Sequence, residues 1–198
     1  MDINNYFKII EDSLKKIAKT TKNNSIITCE SDLKCLLYSI LKEKIKIKEN
    51  LMLKGKYPRI MTELEYGKSR SEDYIADIVL VDEKDLNEAK DGSVALKKNI
   101  VKSIVIELKF TDNHYKKTKE DKIYDDCVKI IDSGGVKKGC VILFDIHKKD
   151  KLSKKELSEI KEELSEIKKD ILRCGSKEIE LVCYYINSND GKILKQEL

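Results

Sequence analysis

Ser103-Ile-Val-Ile-Glu-Leu-Lys-Phe110 is a strongly apolar run broken by one acid and one base. A strand sends successive side chains to opposite faces. Val105, Glu107 and Lys109 therefore share one face, and Ile104, Ile106, Leu108 and Phe110 share the other. A carboxylate and an ammonium at the end of such a strand are costly to bury without partners. Taken alone, the pair reads as a strand end emerging into water, because Lys and Glu are usually exposed. The alternative is a metal-binding carboxylate beside a functional lysine. The segments upstream decide between the two.

Two β-like segments precede the run, Arg59 to Tyr66 and Tyr74 to Asp82, separated by the turn-rich Gly67-Lys-Ser-Arg-Ser-Glu-Asp73. The second, YIADIVLVD, is apolar on both faces and reads as a central strand. Asp77 interrupts it near the middle, where a surface-pointing aspartate is hard to accommodate. Glu83 to Asn99 is polar and carries Asp91-Gly92, marking a loop or small excursion.

Further upstream, Tyr6, Ile9, Ile10, Leu14 and Ile17 form the stripe of a first helix. A second helix is expected from Thr28, an N-cap residue type, with Leu33, Leu37, Ile40 and Leu41 on its stripe. Glu30 lies on the inward edge of that stripe, as a first-turn acid favoured by the helix dipole or as a functional group. The stretch from Leu41 to Arg59 reads as a solvated, charged, lysine-rich connection; if the domain handles nucleic acid, it is the best candidate for phosphate contact, through Lys54 and Lys56.

Downstream, Ile123, Cys127, Ile130 and Ile131 have helical spacing, with Gly134-Gly135 as a stop. GCVILFDIH (139–147) is another apolar strand and IELVCYYI (179–186) a last one. Between them, Leu157, Ile160, Leu164, Ile167 and Ile171 alternate three and four apart. So short an a/d seam suits a helix packed on the sheet more than a free coiled coil. The C-terminal NDGKILKQEL adds a hairpin or frays. Helix, helix, three strands, helix, strand, helix, strand gives an α/β fold: a mixed central sheet flanked by helices. A single domain spans 1–198, with a core at about 28–147, an N-terminal helix in 1–20 and a C-terminal helix plus strand in 153–186.

Composition narrows the function classes. The chain has 198 residues, of which 40% are hydrophobic, and this with the clear periodicity argues against disorder despite a 38% charged share. A net charge of +4 is too mild to indicate nucleic acid by itself. MDINNYFKII has no secretory-signal pattern and no apolar stretch reaches membrane-spanning length, so a soluble, cytoplasmic protein without a membrane partner is expected. Cys29, Cys35, Cys127, Cys140, Cys174 and Cys183 lack CxxC spacing and, with only His114 and His147 beside them, read as small buried hydrophobes. Gly134-Gly135 lacks the pattern of a phosphate-binding loop.

Asp77 and Glu107 are each the lone acid inside an apolar strand, joined by a connection long enough for antiparallel pairing. Two carboxylates converging at a sheet suit a hard cation such as Mg2+, which can activate water and stabilise charge at a phosphodiester. With Asp77 in YIADIVL, Glu107-x-Lys109 in VIELK and the element order around them, the chain resembles the PD-(D/E)xK nuclease superfamily, the restriction-endonuclease-like fold, over roughly Glu30 to His147. It departs from the motif in having Ala76 before Asp77, where the motif is named for proline.

The resemblance implies an αβββαβ core and a Mg2+-dependent endonuclease, with Mn2+ as a substitute and DNA as substrate. Asp77 and Glu107 would be metal ligands, Glu30 a ligand or outer acid, and Lys109 the residue assisting the attacking water. Lys119 and Lys122 fall on the helix after the strand, which in that superfamily supplies phosphate-contacting or structural polar residues. A dimer through the 154–171 helix would suit double-strand cutting. The competing expectation is a catalytically inactive binding or scaffold protein on the same fold.

Overall fold

In the computed structural model, residues 4–22, 27–48, 52–53, 57–68, 73–88, 94–97, 102–111, 118–133, 135–146, 153–173, 179–189 and 191–198 are described. The elements run α1 (Asn4–Thr21), α2 (Glu30–Lys48), β1 (Met52–Leu53), β2 (Tyr57–Pro58), β3 (Ile60–Lys68), β4 (Asp73–Leu80), β5 (Leu86–Glu88), β6 (Val94–Leu96) and β7 (Ile104–Thr111). They continue with α3 (Thr118–Asp132), β8 (Lys138–Asp145), α4 (Lys154–Arg173), β9 (Glu180–Asn187) and β10 (Ile193–Glu197). A six-stranded sheet in the order β10-β9-β8-β7-β4-β3 forms the centre. β3, β4 and β7 pair antiparallel, β7, β8 and β9 pair parallel, and β10 returns antiparallel on β9 as a C-terminal hairpin. The sheet is thus mixed and the class α/β, as the sequence leads one to expect.

Strand alternation assigns the two cores. Ile78, Leu80, Ile104, Ile106, Leu108, Cys140, Ile142 and Phe144 pack with α1 and α2. Val79, Val81, Val105, Val141 and Leu143 pack with α3 and α4 on the opposite face. Of the α4 seam, Ile160, Leu164 and Ile167 are buried in this second core. Gly139 is required by the same packing. A Cβ there would meet Ile130 Cγ2 at 2.8 Å and Leu181 Cδ1 at 2.9 Å.

Three expectations change. The lysine-rich stretch after Leu41 is not all connection, because α2 runs on to Lys48 and buries Ile45. Leu37, Leu41 and Ile45 continue the same four-residue spacing, and the two lysines between them, Lys42 and Lys44, stay compatible with a helix. At its start Cys29, not Thr28, is the N-cap, since its carbonyl accepts the first helical bond from Leu33. Asp32 reaches back to take the Thr28 amide at 2.8 Å and hydroxyl at 2.6 Å. Cys29 and Cys35 are exposed, whereas Cys127, Cys140 and Cys183 are buried as small hydrophobes.

The excursion between β4 and β7 holds the short β5–β6 hairpin. It is tied back by the buried Asp85, whose carboxylate accepts the backbone amides of Lys102 and Ser103. The Ser103 hydroxyl in turn accepts the Asp82 amide at 2.9 Å. These bonds fix where β7 enters the sheet.

Candidate functional site

The site is built by a fork between two strands. β4 and β7 pair only from Leu80↔Ile104 to Ile78↔Ile106, while β7 goes on pairing with β8 as far as Thr111↔Asp145. Asp77 sits where the ladder stops. Its Oδ2 accepts the Leu108 amide at 2.8 Å, replacing the backbone bond the ladder no longer supplies. Beyond that point Glu107 and Lys109 project on the α3 side of β7, as alternation from the buried Val105 requires.

Glu107 is 5% exposed, so the simple reading of a solvated strand end does not hold for it. Burial, with Asp126 and Asp77 adding like charge, pushes its carboxyl up to about 8. The Tyr66 hydroxyl and Lys129 oppose that rise. Tyr66 is itself buried, and its hydroxyl lies beside Glu107 without hydrogen-bond geometry to any group among the described residues. Burial, then Glu107, drives the Tyr66 phenol far above its usual value, so it remains a neutral donor.

Lys109 is held from the helix side. Its Nζ lies 3.3 Å from Asp126 Oδ2, and Lys129 Nζ lies 3.3 Å from Asp126 Oδ1. Asp126 is wholly buried, and burial raises its carboxyl despite both ammonium partners. Burial by itself lowers Lys109, but Asp126, Glu30 and Asp77 outweigh it and the net direction is upward. Lys109 is therefore a permanent cation at neutral pH. It can donate hydrogen bonds and charge, and it is not set up to abstract a proton.

Glu30, in the first turn of α2, is half-buried and enters the same field. Burial raises its carboxyl, with Asp77 and Asp126 adding to the rise and Lys109 and Lys34 opposing it. One turn later Lys34 contacts the fork directly, its Nζ 3.2 Å from Asp77 Oδ1 and paired also with Glu63. Glu63 lies on β3 between the pairs Thr62↔Ile78 and Leu64↔Ala76, which sets it across from Asp77. Its φ of 52° is left-handed, a costly conformation for a residue with a Cβ in a strand.

Asp77, Glu107, Lys109 and Glu30, singled out in the sequence, therefore share one electrostatic cluster. Lys54 and Lys56 lie outside the described residues, and so do the side chains of Lys119 and Lys122 in the first turns of α3. Sequence reading missed Asp126, Lys34, Glu63 and Tyr66. For Asp126 a signal exists: 123, 126, 127 and 130 are the i, i+3, i+4, i+7 positions of the buried face of α3, the same criterion that singles out Glu30.

The donor chemistry suits a hard divalent cation. A carboxyl displaced to about 8 by burial and by neighbouring acids is one that a cation would return to its anion. The arrangement is not closed around such an ion. Both Asp77 oxygens are engaged, and among the described residues no group of three or more His, Cys, Asp or Glu stands ready to hold a metal. No helix among the described residues is long and apolar enough to cross a membrane. Compared with family models, curated proteins and solved structures, the chain has no match.

Proposed function

We propose that this chain is a divalent-cation-dependent endonuclease of the restriction-endonuclease-like fold, hydrolysing phosphodiester bonds in DNA with Mg2+ or Mn2+. One observation carries the reading: at a strand fork Asp77 couples electrostatically to both Glu107 and Glu30, beside an ammonium, Lys109, that a buried acid holds in place. The order α2–β3–β4–β7–α3–β8, antiparallel through β7 and parallel from β7 to β8, supports the PD-(D/E)xK resemblance.

Asp77 and Glu107 would hold the cation, with Glu30 beside them as a third ligand or outer acid. When bound, the ion supplies Lewis acidity toward the phosphoryl oxygen and lowers the pKa of water. The chain's own groups do the rest. Glu107 must lose its proton to serve, which its neutral form at pH 7 opposes and higher pH favours. Lys109 directs positive charge at the water or at the charge developing on the phosphoryl oxygens, and Asp126 fixes its position. The Leu108 amide holds Asp77 in a fixed orientation.

Circular and branched DNA incubated with the purified protein in Mg2+ or Mn2+ tests this. Cutting by the wild type, lost in Lys109→Ala and Asp77→Asn with folding intact, is the expected result. Wild-type-like cutting by either variant removes that residue from the mechanism. The engagement of both Asp77 oxygens favours a second reading, a binding or scaffold protein that does not cut. No cutting on any substrate, together with no divalent-ion uptake by calorimetry, selects that one.

A further inference from the structure

We propose that Lys34 is the resident counter-cation of this site: it neutralises Asp77 while no divalent ion is bound and withdraws onto Glu63 when one is. This rests on the cation-dependent reading above and adds a device that regulates how the site fills.

The geometry provides each part. Asp77 has one oxygen fixed by the Leu108 amide and the other facing the Lys34 ammonium at 3.2 Å. That second oxygen is the one a metal ion would share, and an ammonium and a dication repel at such range. Lys34 needs somewhere to go, and it already touches it. Glu63 binds the same ammonium from the neighbouring strand β3 and is mostly exposed, whereas Asp77 is mostly buried. The left-handed backbone of Glu63 is a local cost, and its carboxylate lies beside Lys34. An unpaired Asp77 at the fork would otherwise be a half-desolvated charge among three other acids. The lysine thus supports the empty site and competes with filling.

Calorimetric titration of the full chain with Mn2+ measures this without reference to cleavage. Lys34→Met is expected to bind Mn2+ at least about tenfold more tightly than wild type. Glu63→Gln is expected to bind about threefold more weakly, in keeping with an exposed ion pair. In the Lys34→Met background, Glu63→Gln is expected to change nothing, because Glu63 acts through Lys34. Thermal unfolding adds a second readout: Lys34→Met lowers the metal-free midpoint, and saturating Mn2+ restores more than it gives the wild type. A purely structural lysine would lower both midpoints alike.

Unchanged or weaker binding by Lys34→Met, where wild type binds, overturns the counter-cation role and leaves the proposed site intact. Uptake by Lys34→Met but not by wild type supports both. No uptake by either overturns both.

Discussion

Glu107→Gln separates the titration of one buried carboxyl from everything else in the fold. The free carboxyl has an ordinary value of 4.5, and in the folded chain it rises to about 8. Between those limits the folded state holds a proton that the unfolded state has released. A raised folded value means stability is fullest below the unfolded value and is lost as pH climbs to the folded one. The slope approaches 1.4 kcal/mol per pH unit, on the order of 5 kcal/mol over the whole window. Between pH 5 and pH 7.5 the loss is about 3 kcal/mol, a large part of the roughly 5–15 kcal/mol that holds a domain folded.

Glutamine has nearly the same shape and does not titrate, so the variant lacks this slope. Urea unfolding of both proteins at half-unit steps from pH 5 to pH 8 gives the difference, in which shared titrations largely cancel. Glu107→Gln is expected to gain on the wild type by about 3 kcal/mol between pH 5 and 7.5. Parallel curves with a constant offset would mean that Glu107 titrates as in the unfolded chain, and the reasoning about its burial and like-charge neighbours would fail.

Other outcomes follow from the same structure. Asp126→Asn removes the like charge that, after burial, most raises Glu107, so the pH window in the same experiment is expected to narrow; an unchanged window contradicts the coupling. That variant also frees Lys109 from its partner, and cleavage is expected to fall by about tenfold or more with substrate affinity nearly kept, measured as a drop in kcat at saturating DNA. Gly139→Ala is expected to cost about 1–3 kcal/mol in urea unfolding, since the methyl must displace Ile130 and Leu181; a neutral substitution would mean α3 rides more loosely on β8. Leu164→Ala is expected to cost about 2–5 kcal/mol with no change in oligomeric state by sedimentation. Loss of a dimer at unchanged stability would return the α4 seam to the role of an interface.

Much of this was legible from local periodicity. Alternation along 103–110 placed Glu107 and Lys109 with Val105, and the two cores divide accordingly. The lone acid in YIADIVLVD was readable as misplaced because a two-sided apolar strand leaves it nowhere bland to go. What alternation does not encode is how far a ladder runs. That β4 and β7 part at Ile78↔Ile106 depends on long-range pairing, and the fork turns Asp77 from a strand residue into an amide acceptor. Glu63 became visible only with the β3–β4 register, and Lys34 only with the rotation of α2 over the fork. Asp126 differs, since its place on the buried face of α3 was open to the test already applied to Glu30. The length of α2 was hidden by composition: lysines alternating with Ile45 and Ile47 mask a stripe that Leu37, Leu41 and Ile45 continue.

The most direct test of the proposed function is anomalous scattering from crystals soaked in Mn2+. The expected result is a peak shared by the carboxylates of Asp77 and Glu107, with Glu30 beside it and the Lys34 ammonium turned toward Glu63. Mn2+ bound only elsewhere, with Lys34 still on Asp77, would contradict a metal-dependent site at this fork.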